Sequence, residues 1–256
     1  MAAARGRHCP HAPALGGRTD RLPTWLAPAL AVTLAVGAPT PDAPTPDAPT
    51  LVGRCVEAYG GRAGLARAAA SVQSGTVTSI LHPGVVGRIG RAYRRPGKLR
   101  VEVQFAQETE ARVLDGTRGW RQGEEVAKGQ LASMILQAAR LDLPSLLWTW
   151  IDRVEDRGTV VVEGRTLRAL AVQVGPGLLV EADIDPSTGR ILRSRGSAQG
   201  GPMPLEFITT YSDFRTVDGV LVPFREANWA NGSSTGETVL GRVEFPRELP
   251  DQLFRP

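Results

Sequence analysis

The sequence contains few of the residues from which catalytic and metal sites are built. Of its 256 residues, three are histidine and two are cysteine. Two of the histidines lie within the first eleven residues, which leaves His82, beside Pro83-Gly84, for the rest of the chain. A lone histidine at a turn is more often solvated than catalytic. Because His82 is the only histidine after residue 11, an HExxH motif and a histidine-rich zinc site are excluded from that part of the chain.

Cysteine chemistry is limited in the same way. Cys9 falls in a leader-like segment, so Cys55 has no partner for a disulfide once that segment is removed. Cys55 lies on an apolar helical stripe and is expected to be a buried small hydrophobe rather than a nucleophile. Walker-type and dinucleotide-binding fingerprints are missing. We therefore expect no enzyme, no cofactor and no metal site.

Lysine is also scarce, with Lys98 and Lys128 the only two, so arginine supplies nearly all the positive charge. The net charge is +4, and four arginines with one aspartate in residues 1–38 account for +3 of it. The remaining residues therefore carry +1 and are almost neutral. A nucleic-acid-binding protein needs a concentrated basic surface, so this class is excluded.

The N-terminal region has the pattern of an export signal followed by a linker. Residues 1–38 place arginines before an apolar run at 25–36 and end in Val36-Gly37-Ala38, close to a signal-peptidase site. The run is short for a bilayer span, which favours a cleaved signal peptide, with an uncleaved N-terminal anchor as the alternative. Residues 39–50 repeat Pro-Thr-Pro-Asp-Ala and predict a proline-rich linker.

Residues 51–256 are dominated by strand patterns. Turn pairs such as Asp218-Gly219 and Asn231-Gly232 separate segments of alternating polarity, and the count reaches roughly eleven to twelve strands. In the last strand the alternation places Val239 and Val243 on the buried face and Thr238 on the other. So many strands must curl or close. The predicted fold class is therefore mainly β (α+β), an incomplete antiparallel β-barrel of about eleven strands.

Two helical regions interrupt this pattern. The first runs from Leu51 to about Ala70, with a break at Gly60-Gly61, and the second is an insert that starts near Glu124 and is broken at Pro144. We expect the insert to cover the sheet as a lid. Its apolar residues are either the lining of a ligand cavity or simply core: Leu131, Met134, Ile135, Leu146, Leu147, Trp148 and Trp150.

Several short phrases at turns and in strands carry a family resemblance. Together with the order of elements, they resemble the LolA-like outer-membrane lipoprotein carriers and the lipoprotein-sorting superfamily. The phrases are Tyr59-Gly60-Gly61, Tyr93-Arg94-Arg95-Pro96-Gly97-Lys98-Leu99-Arg100-Val101-Glu102, Asp115-Gly116-Thr117-Arg118-Gly119-Trp120, Tyr211-Ser212-Asp213-Phe214 and Asp218-Gly219-Val220-Leu221-Val222-Pro223-Phe224.

The resemblance implies a half-barrel over residues 51–256 that carries acyl chains between membranes. On that reading the protein is exported to the periplasm or cell envelope. Its partners are a lipid or an acylated lipoprotein, together with a membrane-bound donor or acceptor protein. The alternative is a sensor or protein-interaction module on the same fold, without a transported ligand. The family's ligand-binding residues cannot be matched position by position.

Overall fold

The computed structural model describes residues 46–106, 108–199 and 205–256. The predicted signal peptide or anchor at 1–38 and most of the predicted linker at 39–50 lie outside these residues. The last three residues of that linker form the first turn of a helix instead. Asp47 caps this helix by accepting a hydrogen bond from the Thr50 amide at 2.9 Å, and Pro49 suits the first turn.

Four α-helices are present among the described residues. The predicted break of the first helix is confirmed, because Gly60 adopts φ +98° between two separate helices. The break of the insert at Pro144 is confirmed as well. The helices are α1 (Ala48–Ala58), α2 (Gly61–Arg67), α3 (Lys128–Leu141) and α4 (Leu143–Thr149), with short 3-10 turns at Ile151–Arg153 and Asp251–Phe254.

The strands form one antiparallel sheet. They are β1 (Ala70–Thr78), β2 (Val86–Arg94), β3 (Lys98–Phe105), β4 (Glu108–Asp115), β5 (Arg118–Arg121), β6 (Glu124–Glu125), β7 (Glu155–Val162), β8 (Arg165–Gly175), β9 (Leu178–Ile184), β10 (Ile191–Ala198), β11 (Leu205–Val217), β12 (Val220–Ala230) and β13 (Ser233–Glu244). The strand beyond the predicted count is the two-residue β6.

The sheet has the order β6-β5-β4-β3-β2-β1-β13-β12-β11-β10-β9-β8-β7 and is not closed. Each half of the chain is a meander, and the pairing of β1 with β13 joins the two halves. The helical insert between β6 and β7 crosses the inner face of this sheet. The predicted class, an incomplete antiparallel barrel with a helical cover, is confirmed.

The two predicted hairpin turns are confirmed, but one predicted face is wrong. Asp218 and Asn231 adopt φ +48° and +47°, the left-handed conformation that two-residue hairpins need. In β13, however, Thr238 is buried and the Val239 side chain is 36% exposed. The register shifts opposite Ser74, and this bulge adds a residue to β13, which reverses the alternation before Val243.

The insert helix α3 packs close to the sheet because two of the strand residues that face it are glycines. A Cβ atom built at Gly196 of β10 would lie 3.2 Å from the Leu136 Cβ, and one at Gly119 of β5 would lie 3.0 Å from the Met134 Sδ. Larger residues at either position would push the helix outward. The two glycines therefore set the height of the lid over the sheet.

Candidate functional site

Two cavities lie between the lid (α3 and α4) and the inner face of the sheet. The first, the lid cavity, has a volume of about 100 Å³ and lies at the α3–α4 junction. The second, the rim cavity, has a volume of about 360 Å³ and lies towards the hairpin tips of β1–β2 and β12–β13. Arg140 of α3 and Glu226 of β12 line both cavities, so these side chains lie at the boundary between the two spaces.

The lid cavity is lined mainly by apolar side chains. It lies under the start of α4 and against the start of β12, where the consecutive residues from Val220 to Pro223 line it. Its apolar lining includes Leu65, Leu141, Leu143, Val220, Leu221, Val222, Leu240 and Phe245. At this size it is smaller than a cavity that holds one benzene ring, about 150 Å³.

The rim cavity is larger and charged. Its lining includes five ionisable side chains that we call the charged cluster: Arg91, Glu110, Arg112, Arg140 and Glu226. With three cations and two anions the cluster has a formal charge of +1. An interior surface of this kind is not an ordinary packed core, because buried charges are costly unless they are paired.

One pair within the cluster is fully formed. The Arg91 guanidinium donates two hydrogen bonds of 2.8 Å to the two oxygens of Glu226, and these side chains are 5% and 8% exposed. Burial acts to lower the pKa of Arg91, but the Glu226 carboxylate outweighs it and raises that pKa. Bidentate geometry makes this the strong type of ion pair. Glu226 is thereby committed to Arg91.

Arg112 is less completely paired. Its Nε lies 3.2 Å from Glu110 Oε1, without the geometry of a hydrogen bond, and the other oxygen of Glu110 accepts from Arg121 at 3.2 Å. Burial lowers the pKa of Arg112, Glu110 partly opposes this effect, and the neighbouring Arg121 and Arg91 lower the pKa further. Glu110 thus divides its charge between two arginines.

A separate ion pair holds the lid at its bend. Asp142, between α3 and α4, accepts hydrogen bonds from Arg95 Nε at 2.8 Å and Arg95 Nη2 at 2.5 Å. Arg95 lies in the β2–β3 turn, and it also donates to Ser145 of α4 and to the Leu65 carbonyl. This latch ties the bend of the lid to the sheet and to α2.

None of the seven predicted lid residues lines the lid cavity or the rim cavity. Met134 and Leu147 are buried, Leu131 and Ile135 pack on the cluster around Leu99, and Leu146 and Trp150 pack on the core beneath α1. Trp148 is 37% exposed, with the Arg62 guanidinium carbon 4.7 Å from its ring centroid. As ligand contacts these seven residues stay a prediction.

The lid residues that do line the cavities are mostly the polar positions of the same helices. The apolar lid residues predicted as ligand contacts meet apolar residues and fill the space between them, whereas the larger cavity lies where the strands present charge. Sequence reasoning missed these positions, although β2 carried a signal: Arg91 shares a face with Ile89 and Tyr93. The cavity-lining lid residues are Ser133, Gln137, Arg140, Leu141, Asp142, Leu143, Pro144 and Ser145.

Other candidate chemistry is weak in the described part of the chain. The residues from Gly232 to Gly236 match Gly-x-Ser-x-Gly, but they form a hairpin turn and the start of β13, not the strand-to-helix elbow of a nucleophile. Within residues 46–106, 108–199 and 205–256 there is no group of three His, Cys, Asp or Glu side chains able to hold a metal ion. No helix there is both long and apolar enough to cross a membrane.

Comparison with protein-family models and with curated proteins finds no match for this sequence. Among solved structures, a LolA superfamily protein from Nitrosomonas europaea superposes with a TM-score of 0.53 at 11% identity, over 82% of this chain and 97% of that chain. The chain has a LolA-like fold. A putative outer membrane lipoprotein-sorting protein domain from Vibrio parahaemolyticus also matches, with a TM-score of 0.48 and 12% identity over 81% and 97%.

Proposed function

We propose that this protein binds lipids or the acyl chains of lipoproteins beneath its helical lid and carries them outside the cytoplasm. No bond is made or broken in this function. The ligand is buried reversibly between the lid and the inner face of the sheet. The observation that carries the proposal is the pair of adjacent cavities under a lid that an ion pair fastens at its bend.

The size of the cavities requires the lid to move. The apolar lid cavity, at about 100 Å³, holds only a few methylene groups, so a full acyl chain needs additional space. The bend at Asp142 is the natural opening point, because α3 and α4 meet there and the Arg95 latch fastens it. Each methylene that becomes buried contributes about 0.8 kcal/mol, which can offset the loss of the latch.

The partners follow from the same function. A carrier receives its cargo from one membrane or membrane protein and delivers it to another, so we propose an acylated lipoprotein or lipid as ligand and a membrane-bound donor or acceptor. The proposed location is the periplasm or cell envelope. The export-like composition of residues 1–38 and the LolA-like fold support it.

One observation favours a second candidate function, a protein-interaction or sensor module. The β1–β2 hairpin exposes a group of apolar side chains at its tip, at the edge of the rim cavity. Exposed apolar groups of this kind mark contact surfaces for other proteins or membranes. They are Ile80, Leu81, Val85 and Val86.

Native mass spectrometry of the full chain, purified without detergent, tests the carrier. A retained mass that organic extraction removes, and that matches a lipid or acylated peptide, is expected. Protein freed of its retained ligand is expected to take up a fluorescent fatty acid. The Asp142→Asn variant should take up this fatty acid faster. Asp152→Asn serves as the matched control, because Asp152 is an exposed carboxylate near the same helices. An empty protein that takes up no fatty acid would favour the sensor.

A further inference from the structure

We propose that the ligand is an anionic amphiphile whose acidic group binds Arg140 at the junction of the two cavities. This inference rests on the proposed function and names its ligand class. The acidic group is a carboxylate or a phosphate attached to an acyl chain. Neutral lipids of the same chain length would then be poor ligands.

Arg140 is the cation of the charged cluster without a carboxylate of its own. Its Nη1 donates a long hydrogen bond of 3.3 Å to Thr209 Oγ1, and its Nε is buried without a hydrogen-bond partner. Its guanidinium carbon lies 5.8 Å from the ring centroid of Phe207. Among the described residues it makes no ion pair. Arg140 is only partly buried, but its Nε is buried and unpartnered, and an anion that accepts from this donor would compensate that cost.

The internal carboxylate that faces Arg140 is already paired and forms no ion pair with it. Glu226 also faces Arg140, but both of its oxygens accept hydrogen bonds from Arg91. Residue 107 and residues 200–204, which interrupt the described part of the sheet region, contain no aspartate or glutamate. Burial lowers the pKa of Arg140, with Tyr211 and Glu226 only partly opposing the effect. An anion bound beside Arg140 would oppose the effect of burial and raise the pKa of Arg140.

The position of Arg140 suits the head of an amphiphile. It lines both cavities, with the mainly apolar lid cavity on one side and the charged rim cavity on the other. An acyl chain directed under the lid would place its acidic group beside Arg140, and a larger head group would extend into the rim cavity. Arg112, also short of negative charge, lines that second space.

The test compares two probes with the same chain, cis-parinaric acid and its methyl ester, on the full-length protein at neutral pH. We expect the acid to bind about 10- to 100-fold more tightly than the ester, the range of a charge-assisted hydrogen bond in a buried site. Arg140→Met should bring this ratio close to one, and Arg140→Lys should restore part of it. Arg225→Met is the matched control, because Arg225 lies exposed and paired with Glu237.

The outcomes separate this inference from the carrier function. Equal binding of acid and ester to the unaltered protein overturns the inference but keeps the carrier, and so does an acid preference that survives in Arg140→Met. Ester binding by Arg140→Met shows that the variant is folded. If neither probe binds, the carrier function fails and the inference fails with it. If inorganic phosphate alone then binds in an Arg140-dependent way, the site serves a free anion and the amphiphile is overturned.

Discussion

The inner face of the sheet has two regions that the helices cover with different results. In one region, which we call the apolar bed, buried side chains of β8, β9 and β10 meet α1 and α4 and leave no large space: Leu170, Val172, Val180, Ala182, Ile184 and Ile191. In the other, the charged cluster meets α3 and encloses the rim cavity. The helices thus form a packed core over the apolar bed and enclose the larger of the two cavities over the charged cluster.

The strands that carry the charged cluster make apolar contacts on the outer face of the sheet. The outward residues Ala92 and Val113 pack against Leu249 and the fully buried Phe254 of the C-terminal segment. These strands therefore have apolar contacts on the outer face as well as charged side chains on the inner face. The charges on the inside can be tolerated because part of the stability comes from the outside.

The largest expected effect comes from breaking the buried ion pair. Glu226→Gln leaves the Arg91 guanidinium buried without its anion, so we expect a loss of about 3–5 kcal/mol in the free energy of unfolding, measured with urea. The double variant Arg91→Met/Glu226→Leu should recover most of it, because it removes both charges. Glu237→Gln, in an exposed pair, should cost less than about 1 kcal/mol. Equal losses for the two single variants would contradict the distinction between the regions.

A comparable loss in the free energy of unfolding is expected in the apolar bed, where the stabilisation comes from side-chain packing. Leu147 of α4 is fully buried, and Leu147→Ala should cost about 2–5 kcal/mol in the free energy of unfolding. Its neighbour Trp148 is the control, since Trp148→Ala removes an exposed ring beside Arg62 and should cost about 1 kcal/mol or less. Fatty-acid binding should survive Trp148→Ala. Loss of fatty-acid binding in this variant would support the prediction that Trp148 contacts the ligand.

The latch should have a smaller and more local effect. Asp142→Asn removes the ion pair with Arg95 at a site that is only partly exposed, and we expect a loss of about 1–3 kcal/mol. Hydrogen exchange should accelerate in α3 and α4 while α1, on the apolar bed, stays protected. Uniform acceleration along the whole chain would mean that the lid does not open separately.

The smallest effect is expected on the outer face of the charged region. Hydrogen bonds from Arg94 and Lys98 to Asp251 hold the pKa of this carboxyl at about 2, below the ordinary value of 3.8. A lowered pKa in the folded protein means that the stabilisation is present above the ordinary value and disappears as the pH falls towards 2. The Tm of Asp251→Asn should therefore lie slightly below that of the unaltered protein at pH 6. The two values should converge near pH 2, and a gap that persists there would contradict the pairing.

The sequence by itself determined the sheet, its hairpins and the helical cover. Alternation and turn chemistry act over a few residues, so Asp218-Gly219, Asn231-Gly232 and the break at Pro144 could be read directly. A bulge depends on the partner strand, and for that reason the face of Val239 was predicted wrongly. The pattern of the lid helices likewise showed which side chains are apolar, but not what they would meet.

Only the tertiary structure decided where space remains under the lid. Arg91 and Glu226 are 135 residues apart, and the antiparallel order that joins β1 to β13 brings them within 2.8 Å. Arg140 reaches the same place from the helical insert. Pairing over such distances depends on the register of several strands at once, which no local pattern contains. Local sequence determines the strands and their turns, and long-range pairing determines where a bulge reverses a face, which charges are satisfied and which remain for a ligand.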